Sequence, residues 1–381
     1  MAKKNTLPHL HVVLLCEDYG ERLWPIAREN GPACAAPVSP GSQETLLKNA
    51  LDRFMPYTDQ KIHVVTTLRL ASVVDCLLAG DCGLKMEQYE LLVQPTTRGS
   101  AFAVALACAR IRKLDPQAVV VISRTDQRTT TDERWEHALL DAYRVAADDY
   151  IAVFCSSQQT KCADWTYVRA GKPFAGEADA THVRVFSADQ APFVATRACA
   201  QGAYWYTGTC MARAALLLGE LNRVGEKAAT PQSEHAHRIA ETANFLAQLD
   251  PGDWLHVAAQ EIIEALPCVS LDKALLEASK KTVLVDAGIR FDALSTLDDL
   301  DVLTDPDVDG NRVIGDSVLE RCRNTTVYSK GCSRKVVTLG LRDTLVIELD
   351  DMTLVVAKDQ LDSIDAARLG IETHGDWGQD G

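Results

Sequence analysis

Short apolar runs alternate with longer stretches of helical period along the first part of the chain. Leu10–Cys16, Ile62–Thr66, Glu90–Val93, Ala118–Ser123 and Ile151–Cys155 read as strands. Between them, Glu44–Phe54, Ser72–Leu78, Ala101–Leu114 and Asp132–Ala147 carry apolar residues at helical spacing. Strands that are nearly continuous in apolar residues are covered on both faces, and repeated strand-helix-strand crossovers predict an α/β fold with a Rossmann-like, doubly wound, mostly parallel sheet. Ligands of such sheets bind beyond the carboxyl ends of the strands. After Asp305 the pattern changes. Asp305-Pro306-Asp307-Val308-Asp309-Gly310-Asn311 is rich in turn formers, and Val313–Leu319, Thr325–Tyr328, Lys335–Leu339, Thr344–Leu349 and Thr353–Ala357 are short strand candidates. The expected division is an α/β domain over 1–305, a small C-terminal β-rich domain over 306–365 and a flexible tail over 366–381. Apart from this regular strand spacing, the chain shows no internal repeat.

Composition narrows the class. Of 381 residues, 47% are hydrophobic, enough for a sizeable core and too many for a disordered chain. The formal charge of −14, with no basic patch, argues against a nucleic-acid or anionic-membrane partner. The 12 cysteines form no CxxC pair, and several sit inside apolar runs, as in Leu106-Ala107-Cys108. They are expected to be small buried hydrophobes of a reduced, cytoplasmic protein. Lys3 and Lys4 are followed by Pro8 and His9 instead of a long apolar stretch, so neither a signal peptide nor a membrane span is expected. His9 with His11, and His235 with His237, lack good metal-ligand spacing and are expected to be solvated. There is no Walker loop, EF-hand loop or Gly-x-Ser-x-Gly elbow.

Several motifs occur in a meaningful order. Gly20-Glu21-Arg22-Leu23-Trp24-Pro25 resembles the Gly-x-Arg-Leu-Trp-Pro segment of the mannose-1-phosphate guanylyltransferase family. Gln94-Pro95 through Arg98-Gly99-Ser100-Ala101 is similar to that family's Glu-Pro-x-x-Arg-Asn-Thr-Ala, and Ile122–Asp126 resembles its strand ending in Pro-Ala-Asp-His. Tyr204-Trp205-Tyr206-Thr207-Gly208 is similar to Trp-Asn-Ser-Gly, and the segment from Ser270 to Glu277 resembles Ser-Ile-Asp-x-Ala-x-x-Glu. The resemblance continues through Asp309-Gly310-Asn311, Asn324-Thr325, Leu345-Val346 and Ala357-Lys358-Asp359, and so covers nearly the whole chain. It implies a nucleotidyltransferase fold and a reaction that joins a sugar 1-phosphate to a nucleoside triphosphate, releasing pyrophosphate with Mg²⁺. It also implies nucleotide contacts at Gly20, Arg22, Gln94, Arg98 and Ser100, sugar contacts at Thr207, Gly208 and Glu277, and metal contacts at Asp126 and Asp292, with Arg22 also a catalytic candidate. No second enzyme, such as the isomerase cupin of bifunctional members, is expected.

Joining two polyanions needs backbone donors, cations and metal-holding carboxylates. The phosphate loop of the family, Gly-Gly-x-Gly-x-Arg, aligns with Glu17-Asp18-Tyr19-Gly20-Glu21-Arg22, which puts acids at two glycine positions. One carboxylate about 4 Å from a phosphate charge costs roughly 4 kcal/mol at an effective dielectric of 20. No lysine lies between Asn5 and Leu47 or between Lys172 and Lys227, where the family carries phosphate-facing lysines; Arg28, Arg184 or Arg197 are possible substitutes. The second metal aspartate aligns with Phe291, leaving Asp292 one residue out of register and so on the wrong face of a strand. Tyr206-Thr207 replaces a small Asn-Ser pair beside the sugar. Core runs such as Ala118–Ile122 and Thr282–Val285 nevertheless stay orderly. Two expectations follow. One is a degenerate relative that binds GTP, a GDP-sugar or a sugar 1-phosphate, needs no cofactor and acts as a regulatory or structural partner, as a homo-oligomer or with an active homologue. The other is an active, divergent, Mg²⁺-dependent sugar-1-phosphate nucleotidyltransferase.

Overall fold

The computed structural model describes residues 6–17, 23–26, 32–37, 42, 44–157, 166–188, 190–227, 231–294, 296–329 and 334–364. Its strands are β1 Leu10–Cys16, β2 Ile62–Thr67, β3 Tyr89–Gln94, β4 Val119–Arg124, β5 Gln127–Thr129, β6 Ile151–Ser156, β7 Tyr167–Pro173, β8 Thr181–Ser187, β9 Tyr204–Arg213, β10 Thr282–Asp286, β11 Phe291–Ala293, β12 Arg312–Ile314, β13 Ser317–Glu320, β14 Thr326–Ser329, β15 Val336–Leu339, β16 Thr344–Glu348 and β17 Thr353–Ala357. Its helices are α1 Leu46–Phe54, α2 Ala71–Ala79, α3 Gly99–Leu114, α4 Glu133–Ala147, α5 Pro192–Ala200, α6 Ala214–Glu226, α7 Pro231–Leu246 and α8 Val257–Glu264. The chain divides into two compact units, Met1–Glu17 with Leu47–Ala293, and Asp18–Leu46 with Leu294–Gly381.

The first unit is an α/β sandwich around a mixed sheet ordered β3-β2-β1-β4-β9-β6-β10-β8-β7. Strands β3, β2, β1 and β4 run parallel, as do β6 and β10, while β9 runs antiparallel between β4 and β6. The central strands are apolar on both faces because both are covered. On β6, Ile151, Val153 and Cys155 join the core formed with α3, α6 and α7. Phe154, which points to the other face, meets Trp135 of α4 at 5.2 Å between ring centres. Helix α4 shows the rule that places it there. Asp132 caps its first turn by accepting from the backbone N–H groups of Arg134 and Trp135, and Trp135, Ala138, Leu139 and Ala142 form its buried stripe. Cys108 and Cys210 fill the other core as small apolar groups.

The second unit has its own apolar cluster, in which Leu23, Trp24 and Leu46 join Leu294, Leu297, Leu300, Ile314, Tyr328 and Ile347. Its strands stack in rungs: β12, β14 and β16 are parallel neighbours, and β13 pairs in parallel with β15. Gly310, Asn324 and Asp343 turn the corners with positive φ, and Asn324 donates to Asp343 at 2.7 Å from one rung to the next. This stacking is a repeat carried by corner geometry and short polar side chains, which a search for apolar periodicity does not detect. The unit division falls at Ala293, ahead of the boundary expected at 305, and takes in the Leu23-Trp24-Pro25 segment. The segment 366–381 lies outside the described residues. Among the described residues no helix is long and apolar enough to cross a membrane.

Candidate functional site

The carboxyl ends of β1, β3 and β4, with the middle of β9, bring most of the expected residues of the first unit to one end of its sheet. Gly20 and Arg22 lie outside the described residues. Just before them, Glu17 follows β1 and accepts a hydrogen bond from Gln94 Nε2 at 2.7 Å. Burial pushes the Glu17 carboxyl up to about 7, against the opposing pull of hydrogen bonds from Gln94 and Thr97. The carboxylate expected to repel a phosphate therefore carries less charge near neutrality than an ordinary glutamate. Gln94 Oε1 is buried with no partner among the described residues.

Arg98 and Ser100 lie at the amino end of α3, yet their side chains bind protein. Arg98 Nε donates to the Ile263 carbonyl at 3.2 Å, and Ser100 Oγ accepts from Leu271 N–H at 2.9 Å. Gly99 between them has φ +77°, and a Cβ there would stand 2.4 Å from the Val269 carbonyl oxygen. These contacts tie α3 to the 263–271 segment.

The two candidate metal carboxylates are both buried and both held by guanidinium groups. Arg124 grips Asp126 as a fork, Nε to Oδ1 at 3.0 Å and Nη2 to Oδ2 at 2.5 Å. The fork needs Gly208, which has φ +75° and whose Cβ would lie 2.5 Å from Arg124 Cδ. Beneath it, buried Arg53 sends Nη2 to the Arg124 carbonyl at 3.5 Å and lies 5.6 Å from the ring centres of Phe54 and Phe291. Burial draws the Arg53 guanidinium down to about 10 although Asp126 opposes the shift. On β11, paired antiparallel with β5, Phe291 enters the core beside Trp135. Asp292 takes the opposite face, as a one-residue offset requires, and meets Arg290 Nε at 2.6 Å and Arg128 Nη2 at 3.5 Å. No group of three or more His, Cys, Asp or Glu side chains among the described residues is arranged to hold a metal ion. As arranged, each of these carboxylates is charge-paired with arginine, so neither offers Mg²⁺ an unbalanced negative charge.

At the sugar side, Thr207 Oγ1 donates to the Phe154 carbonyl, and the Thr207 carbonyl accepts from Gln127 Nε2 at 2.7 Å. Tyr206 turns away into the core, edge-on to Phe186, so the large phenol does not stand in for the expected amide. Glu277 accepts from Ala188 N–H at 2.8 Å and from Lys273 Nζ at 3.2 Å, and Lys273 Nζ also reaches the Ala188 carbonyl at 2.9 Å. A cation thus arrives beside the loop after β8 from a distant segment, which a count of lysines along that loop misses. Of the histidines expected to be solvated, His9 is exposed, but His11 is buried and joins a chain running from Asp115 through His11 and His63 to Glu90.

No protein-family model matches the chain. A putative mannose-1-phosphate guanylyltransferase of Vibrio cholerae is 24% identical over 353 residues, 92% of this chain and 72% of that protein. The mannose-1-phosphate guanylyltransferase of Escherichia coli K12 is 21% identical over 360 residues, 93% of this chain and 72% of that protein. This chain is a homologue of the mannose-1-phosphate guanylyltransferases. A crystal structure described as mannose-1-phosphate geranyltransferase from Thermus thermophilus has the same fold, with a TM-score of 0.78 at 20% identity over 96% of this chain and 99% of that one. The charged side chains at these positions that sequence reasoning missed are Arg53, Arg124, Arg128, Arg290 and Lys273. A signal for two was present: Arg124-x-Asp126 and Arg290-x-Asp292 repeat a spacing that puts both groups on one side of an extended backbone.

Proposed function

We propose that this guanylyltransferase homologue binds a phosphorylated sugar or nucleotide sugar with little or no metal-dependent transfer, and serves as a regulatory or structural partner in nucleotide-sugar synthesis. The observation that carries this is the Arg124–Asp126 fork, in which a guanidinium engages both oxygens of the expected metal carboxylate and balances its charge. The Asp292 pairs with Arg290 and Arg128 support it independently. The partner role is supported by the β13–β15 sheet, whose register partners Val318 and Val337 are 55% and 67% exposed. The test is pyrophosphate release by the full chain from GTP and mannose 1-phosphate with Mg²⁺, beside calorimetric binding of GDP-mannose. Binding without release is expected; release that Asp126→Asn abolishes would overturn the proposal.

Two observations favour a second reading, an active Mg²⁺-dependent transferase. In that reaction a sugar phosphate oxygen attacks the α-phosphorus as the bond to the β-phosphate breaks, and the leaving pyrophosphate carries the charge. Lys273 brings an ammonium to Ala188, and Glu17 loses much of its charge near neutral pH. Under this reading Lys273→Met lowers turnover, whereas a purely structural lysine lowers only thermal stability.

A further inference from the structure

The two guanidinium groups that pair with Asp292 also line a cavity. Arg128, Arg134, Arg290, Thr130, Asp132 and Asp292 surround a volume of about 310 Å³ beside the β5–β11 ribbon, beyond the carboxyl end of β10. We infer that this cavity binds the phosphate of a small phosphorylated compound, with arginines supplying the positive charge that a divalent cation supplies elsewhere. The inference rests on the metal-free binding proposed above and names its site.

Charge is the first support. Three arginines face two aspartates in the lining, so the cavity keeps net positive charge in a chain whose formal charge is −14. Placement is the second. Arg128 and Asp292 are register partners on the ribbon, and Arg290 lies two residues before Asp292, so Arg128 and Arg290 converge on one carboxylate from two strands. Arg290 is half-exposed, at 53% of its side chain, which leaves it within reach of a ligand. Arg134, on the first turn of α4, donates from Nε and Nη2 to Asp132 Oδ2 at 2.9 and 2.7 Å, and at 64% exposure its guanidinium stays within reach of a ligand that competes with that carboxylate. Guanidinium forks match phosphate oxygens as they match carboxylates, so an incoming phosphate competes with Asp292 for them. Size limits the ligand. About 310 Å³ is at the lower end for small-molecule sites, which suits a phosphomonoester carrying no more than one sugar, a pyrophosphate, or the phosphate-bearing part of a longer ligand.

The test is calorimetric titration of the full chain with inorganic phosphate, pyrophosphate, mannose 1-phosphate and GDP, each in EDTA and again in Mg²⁺. Arg290→Gln and Arg128→Gln are the site variants. Arg290→Lys tests whether the fork or the charge matters, and Arg144→Gln, on an exposed pair with Asp141, is the control. Expected are binding of at least one small phosphoanion in EDTA, loss of about tenfold or more in affinity in each Gln variant, partial recovery in the Lys variant and no change in the control. Binding unchanged in the Gln variants overturns this site while leaving the binding proposal standing. Binding that needs Mg²⁺ overturns the arginine substitution for metal. Absence of any binding, with circular dichroism showing every variant folded, overturns both.

Discussion

Removing the Arg124 side chain tests whether guanidinium groups have taken the place of a metal. Arg124→Ala leaves Asp126, which is 4% exposed, without its two fork hydrogen bonds. Stripping a partner from a buried ion pair costs about 3–5 kcal/mol. Arg124 is 26% exposed and water partly compensates, so about 2 kcal/mol is the expected loss. For a unit of this size that lowers the midpoint of thermal unfolding by about 4–8 °C. The second half of the prediction decides the matter. With the fork gone, Asp126 can accept a divalent cation, so Mg²⁺ restores stability to the variant and does nothing for the original chain. At a hundred times its dissociation constant the ion returns about 2.7 kcal/mol. The assay is differential scanning calorimetry of both proteins across a Mg²⁺ series, with Arg124→Lys as a charge-retaining control. Equal Mg²⁺ stabilisation of the unaltered chain, or a variant that loses no stability, would refute the role given to the fork.

Three further substitutions have defined outcomes. Glu17→Gln removes a carboxyl raised from 4.5 to about 7 by burial, so this group makes the unaltered chain lose stability as pH rises from 4.5 through 7; the variant, compared by urea unfolding at pH 8, should be more stable by an amount on the order of 2 kcal/mol and should lack that loss. His11 has the opposite sign: burial lowers its pKa below 6.5, the unfolded chain binds the extra proton, and stability is lost as pH falls below 6.5; His11→Asn should flatten the fall in urea midpoint between pH 7.5 and 5.5. Gly208→Ala combines a positive φ with a 2.5 Å approach to Arg124 Cδ, so it should cost about 2 kcal/mol or more and produce the same new Mg²⁺ response as Arg124→Ala in calorimetry.

The order of strands and helices through Ile151–Cys155 was legible because β-period and helix-period runs are long, apolar and regular there. Helix α4 is a clear case, since Asp132 signals its cap and Trp135, Ala138, Leu139 and Ala142 its buried stripe. The family resemblance was legible from ordered short motifs, and those motifs located Asp126 and Asp292. The one-residue offset at Phe291 was also readable, because alternation along a strand sends adjacent side chains to opposite faces. What the sequence left open was every partnership between distant residues. Lys273 reaches Ala188 through the packing of a far segment, Arg53 comes under Arg124 from a preceding helix, and His11 meets His63 across two strands. None of these pairs shares a local period, so no window along the chain contains the information. The charge state of Glu17 likewise depends on water excluded by neighbours, not on its flanking residues. Periodic burial and motif order belong to the chain itself; which cation holds which carboxylate was decided only when the sheet closed and removed them from water.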